Sequence, residues 1–402
     1  MLPLNGVRVI DLSRLLAGPF CTAILGDLGA DILKVEALPN GDLYRASAPY
    51  HGGESVSFLS VNRNKRSIAI DFRRPGALDL IREMAAAVDV LVENFKPGVM
   101  EDMGLSYEAL ATLNPRLIYV GISGFGREGP YGRLAGVDQI AQGMSGFMSI
   151  TGQAESGPTR VGVPIGDLVS GMWSAIGVQS ALIARQTTGR GQRIDISLLR
   201  SLVGLLSVQG QRFLSLGEVP EIAGNHHPVS APYGLFHAKG GVFNMSAATG
   251  AMWRNLCRHL QVEWVLEDAR FNTSEARRQN RAELEQVLNE RFSQRDRDTW
   301  IAELRALGMP AGPVYDLAEV FSDPQVAGGG MVETVEHPAI GPLRQLASPL
   351  GLDCFVNGSV RRAPPRLGEH TAEVLAEFGI GAQRLETLAR DGVIAAAEEK
   401  QA

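Results

Sequence analysis

Short apolar runs that read as strands alternate with helical segments through the first third of the chain. The strand-like runs are VRVIDL (7–12), DILKVE (31–36), SIAIDF (67–72), DVLVE (89–93) and LIYVGI (117–122). Helical spacing appears between them, in PFCTAILGDLGA, GALDLIREMAAAV and SYEALATLN. Strands that are apolar throughout and separated by helices indicate a parallel sheet covered on both faces. We therefore predict an α/β fold with ligands beyond the carboxyl ends of its strands.

The later sequence indicates a second domain. At 402 residues the chain exceeds the usual size of one domain, and 45% hydrophobic with 20% charged residues suits a large buried core. The βαβ rhythm stops at the Gly- and Pro-rich GEVPEIAGNHHPVSAPYG, and charged helical segments follow. We predict a large α/β domain over 1–215, a linker or active-site loop over 216–235, a smaller α+β domain over 236–325, and a return to the large domain over 326–402.

Composition excludes several functional classes. The formal charge of −6 is spread along the chain without a basic stripe, so we expect no nucleic-acid partner. The start lacks the features of a signal peptide and no stretch approaches 18 apolar residues, so we expect a cytoplasmic protein with no membrane partner. The three cysteines are too few and too far apart for a metal site or a disulfide framework.

A single carboxylate, Asp167, stands before a long apolar run in GVPIGDLVSGMW. We expect a helix over 168–187 with Asp167 at its start, where the exposed N–H groups favour an anion and lower the pKa of the carboxyl group. Gly166 leaves room for a ligand to approach, as a nucleophilic carboxylate requires. The alternative is that Asp167 is only a structural cap, since Asp is common there.

The segment GFGREG spells GxGxxG at Gly124, Gly126 and Gly129, which is the dinucleotide-binding pattern. Pro130 and Tyr131 follow it where a phosphate-binding helix should begin. We therefore reject a dinucleotide oxidoreductase and expect a loop.

Several segments carry a family resemblance. They are LNGVRVIDLSRLLAGPF (4–20), NRNKRSIAIDF (62–72), ENFKPGVMEDMGL (93–105), GISGFGREGPY (121–131), TGRGQRIDISLL (188–199) and RAPPRLGEHTAEVL (362–375). Together with the Asp167 segment, and in this order and spacing, they resemble the class III CoA-transferases, the family of formyl-CoA transferase and carnitine CoA-transferase. The resemblance implies a Rossmann-like large domain and a homodimer of two interlocked rings.

The resemblance also implies a reaction. Asp167 matches the family's catalytic aspartate, which attacks an acyl-CoA thioester and then carries coenzyme A as an aspartyl thioester. Acyl-CoA and a small carboxylic or dicarboxylic acid are then the substrates, with succinyl-CoA as the expected donor. No metal and no permanently bound cofactor are expected.

The coenzyme A contacts follow by matching positions. The matched positions are Leu16, Ala17, Ile70, Asp71, Phe72, Arg73, Asn94, Phe95, Lys96, Ile122, Ser123, Gly124 and Phe125. Where formyl-CoA transferase has phosphate-binding arginines, this chain has Ala37 and Asp102. Lys34, Arg66, Arg73 and Lys96 are therefore the candidate phosphate ligands, and the alternative for each is an ordinary surface charge.

Residues for the second substrate are also suggested. The loop GNHHP (224–228) supplies Asn225, His226 and His227, and its backbone N–H groups are candidate oxyanion donors. The histidines are candidates for binding a substrate carboxylate, as is Arg45, although paired loop histidines are often partly exposed packing residues. Neither histidine has further ligands at metal-site spacing.

Two alternatives remain. The α-methylacyl-CoA racemases share the scaffold and need a histidine in an AGHD-like motif, which here reads AGVD with Val137 at that position. Valine cannot move a proton, and we expect the side chain of Asp138 to point elsewhere. The other alternative is a non-catalytic CoA-binding relative, against which the intact Asp167 argues.

Overall fold

The computed structural model describes residues 1–395. The strands are β1 Arg8–Asp11, β2 Asp31–Ala37, β3 Tyr50–His51, β4 Glu54–Ser55, β5 Lys65–Ile70, β6 Val90–Glu93, β7 Ile118–Ser123, β8 Gly152–Gln153, β9 Gly157–Pro158, β10 Arg193–Ser197, β11 Tyr233–Ala238, β12 Gly241–Ser246, β13 Ala311–Pro313, β14 Val332–His337 and β15 Gly341–Leu346.

The α-helices are α1 Ala17–Asp27, α2 Val56–Val61, α3 Ala77–Ala85, α4 Val99–Asp102, α5 Tyr107–Leu113, α6 Asp138–Met144, α7 Ile165–Thr188, α8 Leu198–Leu205, α9 Ser207–Leu216, α10 Gly250–His259, α11 Ser274–Gln279, α12 Arg281–Phe292, α13 Arg297–Ala306, α14 Leu317–Ser322, α15 Pro324–Gly328, α16 Thr371–Glu377 and α17 Ala382–Arg390. Short 3₁₀ turns occupy Leu43–Ala46, Met148–Ile150 and Glu263–Leu266. Within residues 1–395 no helix has the length and apolarity needed to span a membrane.

The chain divides into two compact units. Among the described residues, the first unit contains Met1–Phe147, Arg160–Glu218 and residues 327–395, and the second contains Met148–Thr159 and Val219–Val326. Residues 148–159 thus join the second unit although they fall inside the predicted 1–215 domain.

A six-stranded parallel sheet forms the centre of the first unit, with strand order β10-β7-β6-β1-β2-β5. Numbered along the chain, these strands are arranged 3-2-1-4-5-6 from the β5 edge, which is the doubly wound Rossmann order. This confirms the predicted α/β fold with a parallel sheet. The order reverses between β1 and β6, and a crevice for ligands is expected beyond the carboxyl ends of these two strands.

The sheet is apolar on both faces because its side chains alternate in direction and helices cover each face. Val9, Val90 and Val92 join a core with α1 and α7, whereas Ile10 and Leu91 join a second core with α3. This alternation explains why the strands read as continuous apolar runs in the sequence.

The second unit is built on the antiparallel sheet β11-β12-β13. Helices α10, α12 and α13 supply its core, in which Phe236, Phe243, Phe292 and Trp300 are buried. Their rings meet at centroid distances of 5.1 to 6.3 Å, which is the usual range for favourable aromatic pairs.

Candidate active site

The predicted coenzyme A segments follow strands of the parallel sheet. Residues 16–17 follow β1, residues 94–96 follow β6, and residues 70–73 and 122–125 begin at the ends of β5 and β7. Because the strands are parallel, these segments share one edge of the sheet. The structure therefore places the four segments along the expected ligand edge.

Asn94, in the segment after β6, is hydrogen-bonded to Arg14, in the loop after β1, at the point where the strand order reverses. Its Oδ1 accepts a hydrogen bond from the Arg14 N–H at 2.8 Å, and its Nδ2 donates to the Arg14 carbonyl at 2.7 Å. The guanidinium carbon of Arg14 lies 4.7 Å from the centroid of the Phe95 ring, a cation–π contact. The loop after β1 and the loop after β6 are thus one connected structure.

A shallow surface cleft opens beside this connection. Phe95, Lys96, Ile122 and Ser123 line it together with residues that sequence reasoning missed. The most notable of the missed residues is Glu93, whose pKa is raised to about 7 mainly by burial. The cleft unites the segments after β6 and β7.

The GxGxxG segment is a loop, as predicted. Residues 124–137 contain no helix, so the pattern lacks the helix N-terminus that a dinucleotide phosphate needs. Gly124 is required for a different reason: a Cβ there would lie 2.4 Å from the Gly136 Cα. The glycine permits two backbone segments to pack directly together.

Asp167 lies in the first turn of α7, which begins at Ile165 rather than at the predicted residue 168. Four residues later on the same helix face, Gly171 packs so tightly that a Cβ would lie 2.7 Å from the Ala17 carbonyl oxygen. The Asp167 face of α7 therefore packs against the start of α1, where the predicted contacts Leu16 and Ala17 lie.

Asp138 also meets this turn, which corrects the expectation that its side chain points elsewhere. Its Oδ1 accepts a hydrogen bond from the Gly166 N–H at 2.8 Å, and its Oδ2 accepts one from Gln142 Nε2 at 2.7 Å. Gln142 is completely buried, and its Oε1 accepts a hydrogen bond from the Val161 N–H. Asp138 is thus fixed at the residue before Asp167.

The electrostatics of Asp167 are the reverse of the sequence prediction. Burial, followed by the negative charge of Asp138, raises the pKa of Asp167 to about 7, whereas we expected the helix N-terminus to lower it. Within residues 1–395 the Asp167 side chain has no hydrogen bond and no ion pair. Burial and the charge of Asp138 therefore raise the pKa of Asp167 by more than the helix N-terminus lowers it, because no hydrogen-bond donor within residues 1–395 stabilises the charged carboxylate.

The candidate phosphate ligands separate into different environments. Lys34 was wrongly predicted, because its side chain is completely buried and its Nζ pairs with Asp42 at 2.7 Å. Arg66 lies at the start of β5, away from the ligand edge, and pairs with Asp31 and two glutamates of α16. Arg73 is exposed and pairs with Asp71 at 2.8 Å. Lys96 has no ion pair in the described chain, so it is the most available cation of the four.

Arg45 is engaged within the first unit. Its Nε and Nη2 each lie 2.7 Å from an oxygen of Glu36, and its guanidinium carbon stands 3.6 Å from the centroid of the Phe58 ring. Asp42, three residues before Arg45, donates its backbone N–H to the same Glu36 carboxylate at 3.0 Å. Arg45 therefore anchors the turn that follows β2.

The other substrate candidates lie in the second unit. The ring of His226 approaches the carboxylate of Glu285 at 3.1 Å, and burial, aided by the charge of Arg281, lowers its pKa. The His227 ring stacks on Tyr233 with centroids 4.8 Å apart. Both imidazoles thus have local partners, and the neighbouring Asn225 belongs to the same loop.

Within residues 1–395, no group of three or more His, Cys, Asp or Glu side chains lies close enough together to bind a metal ion. Cys21 and Cys257 are buried, and burial is the main cause that raises the pKa of each thiol. Val137, at the racemase histidine position, is 63% exposed, and its side chain has no group that can act as an acid or a base.

One neighbour of Asp167 had no signal in the sequence. Tyr44 lies on the 3₁₀ turn after β2, and burial together with the charges of Asp167 and Asp42 raises the pKa of its phenol. Gly171 could have been found, because it follows Asp167 at the spacing of one helical turn.

Comparison with known proteins gives one consistent result. The model of CoA-transferase family III matches residues 4–371. Human succinyl-CoA:glutarate CoA-transferase is 38% identical over 376 residues, covering 93% of this chain and 86% of the human protein. The succinate–glutarate CoA-transferase of Agrobacterium fabrum is 37% identical, covering 94% of this chain and 96% of that protein. A solved CaiB/BaiF family protein from Brucella suis is 39% identical with a TM-score of 0.85, over 94% of this chain and 99% of that chain.

Proposed function

The chain belongs to CoA-transferase family III, and we propose that it transfers coenzyme A from succinyl-CoA to a small carboxylic or dicarboxylic acid. Two relatives that match along nearly the whole chain carry succinyl-CoA or succinate, together with glutarate, in their names. Glutarate is therefore the first acceptor to test. The observation that carries the mechanism is the carboxylate of Asp167, whose oxygens accept no hydrogen bond from any residue between 1 and 395.

The proposed first half-reaction takes place at Asp167. A carboxylate oxygen attacks the thioester carbonyl carbon, the C–S bond breaks, and an anhydride and the CoA thiolate result. The thiolate sulfur then attacks the Asp167 carbonyl carbon, which releases succinate and leaves an aspartyl-CoA thioester. The acceptor carboxylate reverses both steps, so that Asp167 is regenerated and the acceptor leaves as its CoA thioester. The thioester energy is retained throughout.

Coenzyme A is proposed to lie along the carboxyl edge of the sheet. Leu16 and Ala17 offer backbone groups near Asp167, and the cleft beside Phe95 suits the nucleotide because an aromatic ring stacks on adenine. Lys96, which has no ion pair among the described residues, is the proposed cation for a phosphate. The further contacts proposed from the resemblance are Ile70, Asp71, Phe72, Arg73, Asn94, Ile122, Ser123, Gly124 and Phe125.

Recognition of the acceptor is proposed to involve Asn225, His226 and His227, with Arg45 as a further candidate. Each imidazole already has a neighbour of its own, so a substrate carboxylate must compete with Glu285 at His226. The domain boundaries from the sequence and a cytoplasmic location also stay predictions.

A homodimer is proposed as the working state. Helices α7 to α9 expose large apolar side chains, among them Trp173, Ile183, Val208 and Leu214 at 44, 68, 74 and 77%. A patch of this kind marks an interaction surface. The interlocked arrangement rests on the family resemblance, and a monomeric mass in native mass spectrometry would contradict it.

The decisive experiment traps the aspartyl thioester. The enzyme is incubated with succinyl-CoA without acceptor, quenched with hydroxylamine and digested with trypsin. The tryptic peptide 161–185 contains Asp167 as its one carboxyl side chain, so a hydroxamate on this peptide identifies the nucleophile without further mapping. We expect this label in the wild type and its loss in Asp167→Ala.

The same preparation separates transferase from racemase chemistry. A racemase exchanges the proton on the carbon next to the thioester, so it introduces deuterium from heavy water and labels no aspartate. Deuterium incorporation without a hydroxamate would overturn the proposed function. A panel of acyl-CoA donors and free acids, with the product masses recorded, then identifies the substrates.

A further inference from the structure

The loop that follows β1, here called the first-strand loop and comprising residues 13–18, contains a leucine in a left-handed conformation. Leu15 has φ of +65° and its side chain is 41% exposed. L-residues other than glycine rarely adopt this conformation, because Cβ crowds the following carbonyl oxygen. An exposed leucine gains little packing that would hold it there, so other contacts must do so.

A buried ion pair supplies those contacts. The Leu15 N–H donates to Asp42 Oδ1 at 2.9 Å, and Lys34 Nζ donates to the Ser13 carbonyl at 3.0 Å. Lys34 Nζ and Asp42 Oδ2 are 2.7 Å apart, and neither side chain is exposed. The Lys34–Asp42 pair therefore bridges the turn: Lys34 binds the carbonyl of Ser13, and Asp42 binds the N–H of Leu15, two residues later.

The surroundings of Lys34 favour its charged form. Burial alone would lower the pKa of Lys34, but the charges of Asp11, Asp42 and Glu36 raise it. Asp42 Oδ1, which accepts the Leu15 N–H, also accepts the Tyr44 N–H at 3.0 Å. Charge-assisted hydrogen bonds are stronger than neutral ones, so Asp42 is suited to hold a strained peptide.

The first-strand loop leads directly into the candidate active site. Helix α1 begins at Ala17, and its N-cap Leu16 offers no side-chain hydrogen bond, which leaves the first N–H groups of the helix for another partner. The Ala17 carbonyl packs against Gly171, one turn from Asp167. The conformation of Leu15 therefore determines where these N–H groups point.

We propose that Asp42 is a positioning residue for coenzyme A: through the Leu15 N–H it fixes the left-handed turn that orients the Leu16 and Ala17 peptides. This inference rests on the proposed function, in which those peptides meet the CoA moiety. Asp42 itself is buried and touches no substrate. Its effect on binding is transmitted by the backbone of the first-strand loop.

The test combines removal of Asp42 with relief of the strain at residue 15. In Asp42→Ala we expect the Kd for free coenzyme A, measured by calorimetry, and the KM for succinyl-CoA to rise about tenfold, while kcat changes less. Glycine adopts positive φ without penalty, so Leu15→Gly should need no anchor. We expect the double variant Leu15→Gly/Asp42→Ala to bind coenzyme A within about threefold of Leu15→Gly alone.

Asp27→Asn is the matched control for lost stability. It breaks another buried pair, with Arg63 at 2.6 Å, at the far end of α1. We expect it to lower the unfolding midpoint and leave the Kd for coenzyme A unchanged. If Asp42→Ala does not fold, the exposed position allows Leu15→Val, whose β-branched side chain opposes positive φ and should weaken CoA binding in the same way.

Two results overturn the inference: an Asp42→Ala or Leu15→Val protein that binds coenzyme A as the wild type does, or a double variant in which Leu15→Gly restores nothing. The binding measurement needs no turnover. A wild type that binds coenzyme A but transfers it from no donor would instead contradict the proposed function, so the two failures are distinguishable.

Discussion

Two carboxylates near the start of α1 have opposite environments. Asp11, at the end of β1, is completely buried and accepts hydrogen bonds from Ser13, Thr22 and Lys65. Asp167, at the start of α7, is less buried but has no donor within residues 1–395. Burial opposes the charge of both, yet the two nearby lysines lower the pKa of Asp11, whereas the pKa of Asp167 rises to about 7.

The difference shows that donors, rather than depth, decide what a buried carboxylate can do. A carboxylate whose lone pairs are occupied is a structural group, because its oxygens cannot attack without breaking hydrogen bonds. The oxygens of Asp167 have no such partners within residues 1–395, so its lone pairs are available for the proposed attack. Asp167 lowers the free energy of unfolding increasingly as the pH rises from about 4 toward 7, because in this range the folded protein still holds a proton on Asp167 that the unfolded chain has lost. The contribution of Asp11 has the opposite sign and is lost as the pH falls.

The largest effect is expected for Asp167→Asn, which keeps the shape of the side chain and removes the proposed nucleophile. Transfer should fall by about 10⁴-fold or more, as for other groups essential to covalent catalysis. The unfolding midpoint at pH 8 should stay level or rise, because a destabilised charge is removed. Turnover and thermal melting measure the two effects. Substantial residual transfer would remove Asp167 from the mechanism.

Asp11→Asn should behave in the opposite way and lose stability first. It leaves Lys65 and Lys34 buried without this carboxylate, and removal of one partner from a buried pair costs about 3–5 kcal/mol. Urea unfolding at pH 7 measures the loss. Glu83→Gln is the matched control, because it breaks the surface pair with Arg384 at 2.7 Å and should cost less than about 1 kcal/mol. Equal losses in both variants would contradict the comparison.

Much of the fold was predictable because its signals are local. The apolar runs predicted at 31–36, 67–72 and 117–122 overlap β2, β5 and β7 to within two residues at each end, and the family prediction is confirmed by the family match. Helix α7 begins at Ile165, three residues before the predicted start and directly after Pro164. Proline is tolerated at a helix start, where its missing N–H is not needed.

The electrostatics of the site were not predictable, because they arise between segments that are distant in sequence. Asp138 reaches the turn before Asp167 across 28 positions, and this contact, with burial, reverses the expected pKa shift. The left-handed Leu15 also had no signal, since its anchor Asp42 follows 27 residues later. Lys34 looked available for phosphate because its burial depends on the neighbours of β2 in the folded sheet.

The smallest expected effect isolates the charge of Asp138 beside Asp167, the proposed nucleophile. Asp138→Asn keeps an oxygen that accepts the Gly166 N–H but removes the charge that helps to raise the pKa of Asp167. If ionised Asp167 attacks the thioester, kcat/KM for the acyl-CoA should rise with pH through about 7 in the wild type. The variant should lose activity only at lower pH, because Asp167 then ionises more easily. The neutral phenol of Tyr44 stays in place and does not titrate in this range, since its own pKa is raised. A pH profile that does not move in Asp138→Asn would show that the charge of Asp138 does not affect the ionisation of Asp167. The contrast between Asp167 and Asp11 would then rest on burial without hydrogen-bond donors rather than on the neighbouring carboxylate.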